Sequence, residues 1–339
     1  PQSKPIAQMG GLVATRSIGQ FSTLYGGIED MLAGVETVFP DGTICDIKAV
    51  PRRSAGPDIR HIVLGNEGTM NFITKVTVKL WKYYPEFHEC MGYTLDNMHD
   101  GLNIMREVMV EGYRPSVARL YDAEDGKEHF SHFAAGKCVL LFVTEGPELI
   151  SHANAEGIRK IMANHPECTQ VETKLIETWF ANLNWDAARI EEERKEVLET
   201  NNVCCTTEIS APWSAVHEIY DVCVKRIMEE IPDITVFGAH ASHCYSNGIN
   251  LYFVYWYNVV DCTPENEIVK YHLPIKKICE ETIKAGGSMC HHHGVGKHRV
   301  HWIDKEHGSA LYMVKKLKEA FDPNSIMNIG TILPYKGEK

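Results

Sequence analysis

Residues 33–50 read AGVETVFPDGTICDIKAV. Val35, Thr37 and Phe39 alternate before the Pro-Asp-Gly, Cys45, Ile47 and Ala49 alternate after it, and the Asp41-Gly42 dipeptide suits the positive φ of a tight turn. The spacing predicts an antiparallel hairpin. In HIVLGNEGTMNFITKVTVKLW a short helix and a glycine-bearing turn lead into a β-branched strand from Phe72 to Leu80. From about residue 84 strands alternate with longer helices: strands are predicted at 89–95, 116–121, 138–143, 203–209, 234–239 and 249–257. Helices are predicted at 97–111, 147–163, 175–200, 213–230, 264–285 and 305–319, with apolar residues such as Val216, Ile219, Cys223 and Ile227 at helical spacing. The pattern is α+β.

The chain has 339 residues, 44% of them hydrophobic, enough to fill real cores. A formal net charge of -11 argues against nucleic acid or an anionic membrane as the main partner. No apolar run approaches the roughly 20 residues of a membrane span, and residues 1 to 20 lack a basic start followed by an apolar stretch. Eleven cysteines are scattered without a CxxC pair, which suggests neither a disulfide framework nor a structural zinc site and fits a reducing cytoplasm. The opening segment is polar and glycine-rich, and an upstream part is expected to precede it.

Chemistry gathers at a few places. MGGLVATRSIG and GNEGTMNFIT each set glycines beside Ser or Thr, so main-chain N–H groups and hydroxyls can meet a phosphate; a plain glycine turn is the alternative for each. MCHHHGVGKHR, residues 289–299, carries three consecutive histidines. In an extended segment His291 and His293 would share a face while His292 turns away, poor geometry for a three-histidine metal site. In a glycine-terminated turn, two imidazoles can serve proton transfer while the third anchors the loop; a metal site and a purely structural turn stay open. GAHASHCYSNG adds His240 and His243, secondary candidates for a divalent ion, with no metal expected overall.

Seven stretches occur in one order: MGGLVATRSIGQFSTLYGGIEDMLAGVETVFPDGTI, SAGPDIRHIVLGNEGTMNFIT, RPSVARLYD, TEISAPW, INLYFVYWYN, GGSMCHHHGVGKHR and FDPNSIMN. In this they resemble the FAD-binding type-4 oxidoreductases of the vanillyl-alcohol-oxidase superfamily, in particular alkyldihydroxyacetonephosphate synthase and its bacterial FAD-linked relatives. The resemblance covers residues 1 to about 335. It implies the C-terminal part of a PCMH-type FAD-binding domain (1–83), then an antiparallel-sheet cap with flanking helices that holds substrate (84–288). A histidine loop and C-terminal segment return to the flavin (289–339). The family's glycine-rich pyrophosphate loop is not among these residues. The resemblance places FAD contacts at Gln2, Ser3, Gln8, Gly11, Thr15, Arg16, Ser17, Glu67, Gly68, Thr69, Ile73 and Asn328. It implies substrate contacts at Arg119, Arg194 and Lys297, acid/base roles for Tyr252, His291, His292 and His293, and a homodimer.

Each transferred residue has a plainer reading. Arg194 lies among Glu191, Glu192 and Glu193 and reads as a solvated helix charge; Arg119 reads as a buried ion pair with Asp122; Tyr252 reads as one of several core aromatics. A phenol with a pKa of about 10 needs nearby cations to act as a base. Two departures turn the reading from synthase toward oxidoreductase: the link from Asp122 to Lys137 is short, and Asn71 and Phe72 stand where the family usually has Gly and Val. The expected function is oxidation of a hydroxyl-bearing, anionic small molecule by hydride transfer to flavin N5. A synthase-type transfer without net redox change, and a cofactor-free descendant with a binding role, are the alternatives.

Overall fold

The computed structural model describes residues 1–335 apart from Trp185 and Asp261. The predicted hairpin is present: β1 (Leu32–Val38) pairs antiparallel with β2 (Ile44–Ile47) in the register Val35↔Ile47 and Thr37↔Cys45. β3 (Phe72–Val78) adds on the other side of β1, giving a three-stranded sheet of order β2-β1-β3. Val35 and Ile47 of this sheet join Val13, Ile28, Leu32, Val63 and Leu64 in a small core beneath the helix Met9–Thr15.

The second sheet has seven strands in the order β7-β4-β6-β5-β9-β10-β8. They are β4 (Glu89–Leu95), β5 (Val117–Tyr121), β6 (Cys138–Thr144), β7 (Thr169–Gln170), β8 (Asn202–Pro212), β9 (Ile234–Ala241) and β10 (Gly248–Asn258). Every pairing in it is antiparallel. Along β10 the side chains of Ile249, Leu251, Phe253, Tyr255 and Tyr257 alternate onto one face. There they form the main core with Phe237, Ala239, Met105, Ile158, Ile219 and Cys223, the last four from helices Met98–Val110, Glu148–Met162 and Val216–Glu230. Leu251, Phe253 and Tyr255 are fully buried, each side chain of this kind contributing roughly 1.5–3 kcal/mol. The same alternation turns Tyr252, Val254 and Trp256 to the opposite face, where the candidate site lies.

Several elements differ from the sequence expectation, among them the two-residue strand β7, which was not expected. The predicted helix 175–200 is two helices, Thr173–Ala181 and Ala187–Thr200; Asp186 caps the second by accepting the Arg189 N–H. The predicted helix 305–319 is interrupted at Gly308, which takes a φ of +50°, and resumes as Leu311–Phe321. A helix over Ala123–Ala134 was not expected, because few of its residues are apolar; it is started by Asp122, whose carboxylate accepts the Asp125 N–H. MGGLVAT, read as a glycine turn, is also helical. No helix among the described residues is long and apolar enough to cross a membrane.

Candidate active site

Register builds the site. Tyr252 of β10 lies directly opposite Glu208 of β8 on one side and His240 of β9 on the other, and His240 lies opposite Tyr121 of β5. Glu208, Tyr252, His240 and Tyr121 thus form one row across four strands on the face away from the main core. The His240 and Tyr252 rings stack at 4.7 Å and 12°, and the Tyr121 and His240 centroids are 5.2 Å apart. Two residues before Tyr121, on the same face, Arg119 lays its guanidinium 4.7 Å from the Tyr121 ring centre and 5.6 Å from that of Trp179.

One end of the row is a carboxylate wrapped by a turn. Glu208 is 0% exposed and accepts the main-chain N–H groups of His291 (2.6 Å), His292 (3.3 Å) and His293 (2.9 Å), together with Arg299 Nη1 (3.0 Å). Those four donors decide the shape of the histidine run: it is a turn folded around one acid, not an extended segment. Burial by itself raises the Glu208 carboxyl, and the surrounding rings and Arg299 hold it well below the usual carboxylate range. Burial also drives His291 down to about 4 and His292 to about 3, and lowers His293. At neutral pH these rings carry no charge, while the Arg299 guanidinium and the three main-chain N–H donors stay on Glu208.

The turn stacks its rings differently from the extended reading. His291 and His292 share a hydrogen between their Nδ1 atoms at 3.0 Å, and both approach His243, at ring distances of 4.9 and 4.8 Å. One nitrogen from each of His243, His291 and His292 falls within 4.8 Å of the others, a grouping with the spacing of a metal site that neighbouring residues in an extended strand could not make. His243 Nδ1 also meets Ser22 Oγ at 2.9 Å, and His291 Nε2 meets the Tyr245 hydroxyl at 3.1 Å. His293 turns to Tyr252, its Nε2 lying 3.4 Å from the phenol, which accepts a bond from Thr206 Oγ1 at 3.2 Å. Burial pushes the Tyr252 hydroxyl up to about 12. The cation that a Tyr252 base would need is therefore not supplied by the His293 ring at neutral pH.

Most of the residues expected to contact the flavin gather at a second turn. The Gly65 N–H donates to Val13 O and the Glu67 N–H to Ala14 O, joining the 65–69 turn to the end of the helix Met9–Thr15. A Cβ on Gly65 would stand 2.5 Å from Arg16 Cδ, so glycine permits the approach. Thr15 and Ser17 bring their hydroxyls to 2.9 Å, Ile73 lies against Gly10, and Asn328 donates to Glu67 O. Thr69 is buried with its hydroxyl on Asn66 O. The Glu67 carboxylate is occupied by the Val295 (2.6 Å) and Gly296 (2.9 Å) N–H groups and ties the histidine turn to this side. Gln2 donates to Leu183 O, and Ser3 and Gln8 are exposed.

These residues fit a flavin dinucleotide. Where Cβ atoms on Gly11 and Gly68 would stand there is open space within 4 Å, so a ligand can reach the main chain; the Thr15 and Ser17 hydroxyls and a half-exposed Arg16 guanidinium flank it. A guanidinium beside two hydroxyls suits an anionic group, while the Thr15 hydroxyl and the Gly68 N–H are bonded within the chain to Gly11 O and Asn66 Oδ1. Gln20 and Asn71 are buried with both amide atoms unpartnered among the described residues, a state that calls for a polar ligand or water.

Two expected substrate contacts do not join the row. Arg194 sits on the helix Ala187–Thr200 with its side chain 73% exposed, 3.9 Å from Glu191, as the solvated-charge reading has it. Lys297 is exposed on the short helix Gly296–Arg299. The cation that enters from this turn is Arg299, which the sequence reading passed over along with Glu208 and Asp125. A signal was present: Glu208 is an acid inside the apolar strand TEISAPW, and a buried charge needs a partner.

The family described as FAD linked oxidases, C-terminal domain, matches residues 84–332, and the one described as FAD binding domain matches residues 1–48. The FAD-linked oxidoreductase YgcU of Escherichia coli (strain K12) is 62% identical over 340 residues, covering 99% of this chain and 70% of that protein. Alkyldihydroxyacetonephosphate synthase of Dictyostelium discoideum is 26% identical over 364 residues, covering 98% of this chain and 58% of its own length. A solved alkyldihydroxyacetonephosphate synthase structure shares the fold with a TM-score of 0.71 at 22% identity, over 99% of this chain and 59% of the other. The chain therefore belongs to the FAD-linked oxidases, an enzyme family whose cofactor is FAD, and is an FAD-linked oxidoreductase by kinship.

Proposed function

We propose that this site takes hydrogen from a hydroxyl-bearing, anionic small molecule. The observation that carries the proposal is Arg119. It is 4% exposed, its Nε has no partner, and it makes no ion pair with any described residue. Asp122, its expected partner, instead accepts from Asp125 N–H, the Tyr220 hydroxyl and Ala239 N–H. A buried guanidinium held between two aromatic rings and lacking a carboxylate is built for one brought in by a ligand, or for a phosphate, because its forked donors grip two oxygens at once. Tyr252, a neutral phenol two ring-widths along the row, would donate to a substrate oxygen while Arg119 holds the anionic end. FAD, when bound, supplies the acceptor of the hydride. In this reading residues 1–83 and 289–339 serve the flavin and 84–288 the substrate, the scattered cysteines support a reducing cytoplasm, and Lys297 guides anions from the rim.

A second reading, transfer of an alkyl group without net redox change, is favoured by the likeness to the Dictyostelium synthase over 98% of the chain. Anaerobic mixing of the FAD-loaded protein with 2-hydroxy acids, polyols and sugar acids separates the two. An oxidoreductase substrate bleaches the flavin band. Failure of every hydroxyl compound to do so, with turnover of an acylated dihydroxyacetone phosphate, would establish the transferase.

A further inference from the structure

Besides the histidine run and His243, the site contains a further imidazole with its own acid. His240 Nδ1 lies 2.7 Å from Asp125 Oδ2, and the two side chains are 12% and 3% exposed. By contrast, the shortest ring-to-carboxylate distances of His292 and His293 are 3.6 and 3.8 Å, to Glu208, which main-chain donors and Arg299 already occupy. We propose that Asp125 is a positioning residue that fixes His240 as the Nδ1–H tautomer, making His240 Nε2 the proton acceptor of this site. The proposal rests on the hydroxyl-oxidation reading above.

Three features of the structure support it. Asp125 comes from the first turn of the helix Ala123–Ala134, and that helix reaches the sheet because residue 238 is glycine: a Cβ there would stand 2.5 Å from Asp125 N and 2.9 Å from Asp125 Cβ. The His240 ring is stacked against Tyr252 on the row and flanked by Tyr121, so its plane is fixed. With the Nδ1 proton given to Asp125, Nε2 is the lone-pair nitrogen, and it belongs to a ring standing between the anion-holding Arg119–Tyr121 pair and the Tyr252 phenol. In the step proposed, the substrate O–H bond breaks and an N–H bond forms at Nε2. The resulting imidazolium is paired with the Asp125 carboxylate, and the electron pair leaving with the carbon-bound hydrogen goes to the family's FAD.

The groups facing the His240 ring are Asp125, Arg119, His129, His243, Tyr121 and Tyr252. Of these Asp125 alone is an acid. The test is a long-range ¹H–¹⁵N spectrum of FAD-loaded protein labelled at histidine, in the wild type, Asp125→Ala and Asp125→Asn. The wild type should show a neutral, Nδ1-protonated His240 at pH 7. Asp125→Ala should abolish that tautomer preference with the backbone amide spectrum retained. Asp125→Asn, which keeps an acceptor but removes the charge, should keep the tautomer and lower the His240 titration midpoint by at least about one pH unit. An Nε2-protonated or cationic wild-type His240 at pH 7, or a midpoint unmoved in Asp125→Asn, overturns the proposal. Where a compound bleaches the flavin, His240→Gln should remove the rising limb of the pH profile of bleaching; a retained limb also overturns it. If no hydroxyl compound bleaches the flavin, the oxidation reading falls, while the spectra still decide the state of His240.

Discussion

Two buried carboxylates stand on the same sheet face and do opposite things. Glu208, at the β8 end, accepts three main-chain N–H groups and a guanidinium, and all four of its donors belong to the 291–299 segment. Asp125, at the β9 side, meets one imidazole, 2.7 Å away. A carboxylate saturated by main-chain donors fixes a backbone and has no capacity left for chemistry; one bonded to a single titratable ring transmits its charge to that ring. Reactivity in this site is therefore to be sought where a carboxylate meets a titratable ring. The three conspicuous histidines are scaffolded by their backbones, and the one that sequence alone least distinguishes carries the acid.

Breaking the Glu208 end should have the largest effect. Glu208→Gln leaves Arg299 buried with no charge partner and presents an amide N–H to donors, so a stability loss of roughly 3–5 kcal/mol is expected, read as a lowered Tm. The pH dependence has a definite sign. Glu208 is held below its ordinary 4.5, so its contribution is present above that value and is lost as pH falls through the folded-state value. His291 and His292, depressed from 6.5 to about 4 and about 3, act in the same direction: between those values the unfolded chain binds more protons, so stability falls with pH. Wild-type Tm should decline from about pH 6.5 downward, and the part of the decline below 4.5 should be shallower in Glu208→Gln. A Tm that is flat from pH 7 to 4 would show that these groups are not buried as described.

The comparison also shows what was legible. The hairpin, six of the seven strands of the large sheet and the glycine turn at 65–69 follow from alternation and glycine placement, which are local properties. The segments expected to hold the flavin, Thr15–Ser17 and Glu67–Thr69, do come together. The row of Glu208, Tyr252, His240 and Tyr121 does not follow from local pattern, because it depends on strand order and on a one-residue register that sequence periodicity leaves open. Asp125 was hidden for a further reason: its helix is so polar that its period is faint, and its approach depends on Gly238, more than 100 positions away. Arg194 is one of two arginines on a charge-rich helix, where sequence pattern alone does not tell an exposed guanidinium from one that faces a ligand.

At the chemical end, Tyr252→Phe should retain FAD and slow turnover roughly 10²-fold, the scale of a lost acid/base group. Full additivity with the His240→Gln loss would mean the two rings act separately, although they stack at 4.7 Å. Arg119→Lys should follow with a smaller loss, mainly in kcat/KM, since an ammonium cannot reproduce the bidentate fork between Tyr121 and Trp179. Unchanged kinetics would return Arg119 to a packing role.

Chelation should have little effect. Both ring nitrogens of His291 are already engaged, Nδ1 with His292 Nδ1 and Nε2 with Tyr245, and His243 Nδ1 is engaged with Ser22. An ion would have to displace these bonds, so treatment with a chelator is expected to leave flavin reduction intact. A loss restored by zinc or manganese would promote the grouping of His243, His291 and His292 to a metal site.

The smallest effect is expected at Arg194, and it tests whether exposure rather than motif decides which arginine meets substrate. Its guanidinium is 73% exposed, and its nearest acid, Glu191, is one helical turn away at 3.9 Å, so solvent screens the pair and the side chain is held in no single direction. Arg119 and Arg194 carry the same group, yet one is buried between aromatic rings and the other stands in water. Desolvation strengthens the first toward an anion and hydration weakens the second. Arg194→Ala should therefore leave Tm and KM at wild-type values when measured beside Arg119→Lys. A severalfold rise in KM with kcat unchanged would show that the helix Ala187–Thr200 folds over the bound substrate during turnover and brings a second fork to its anionic end.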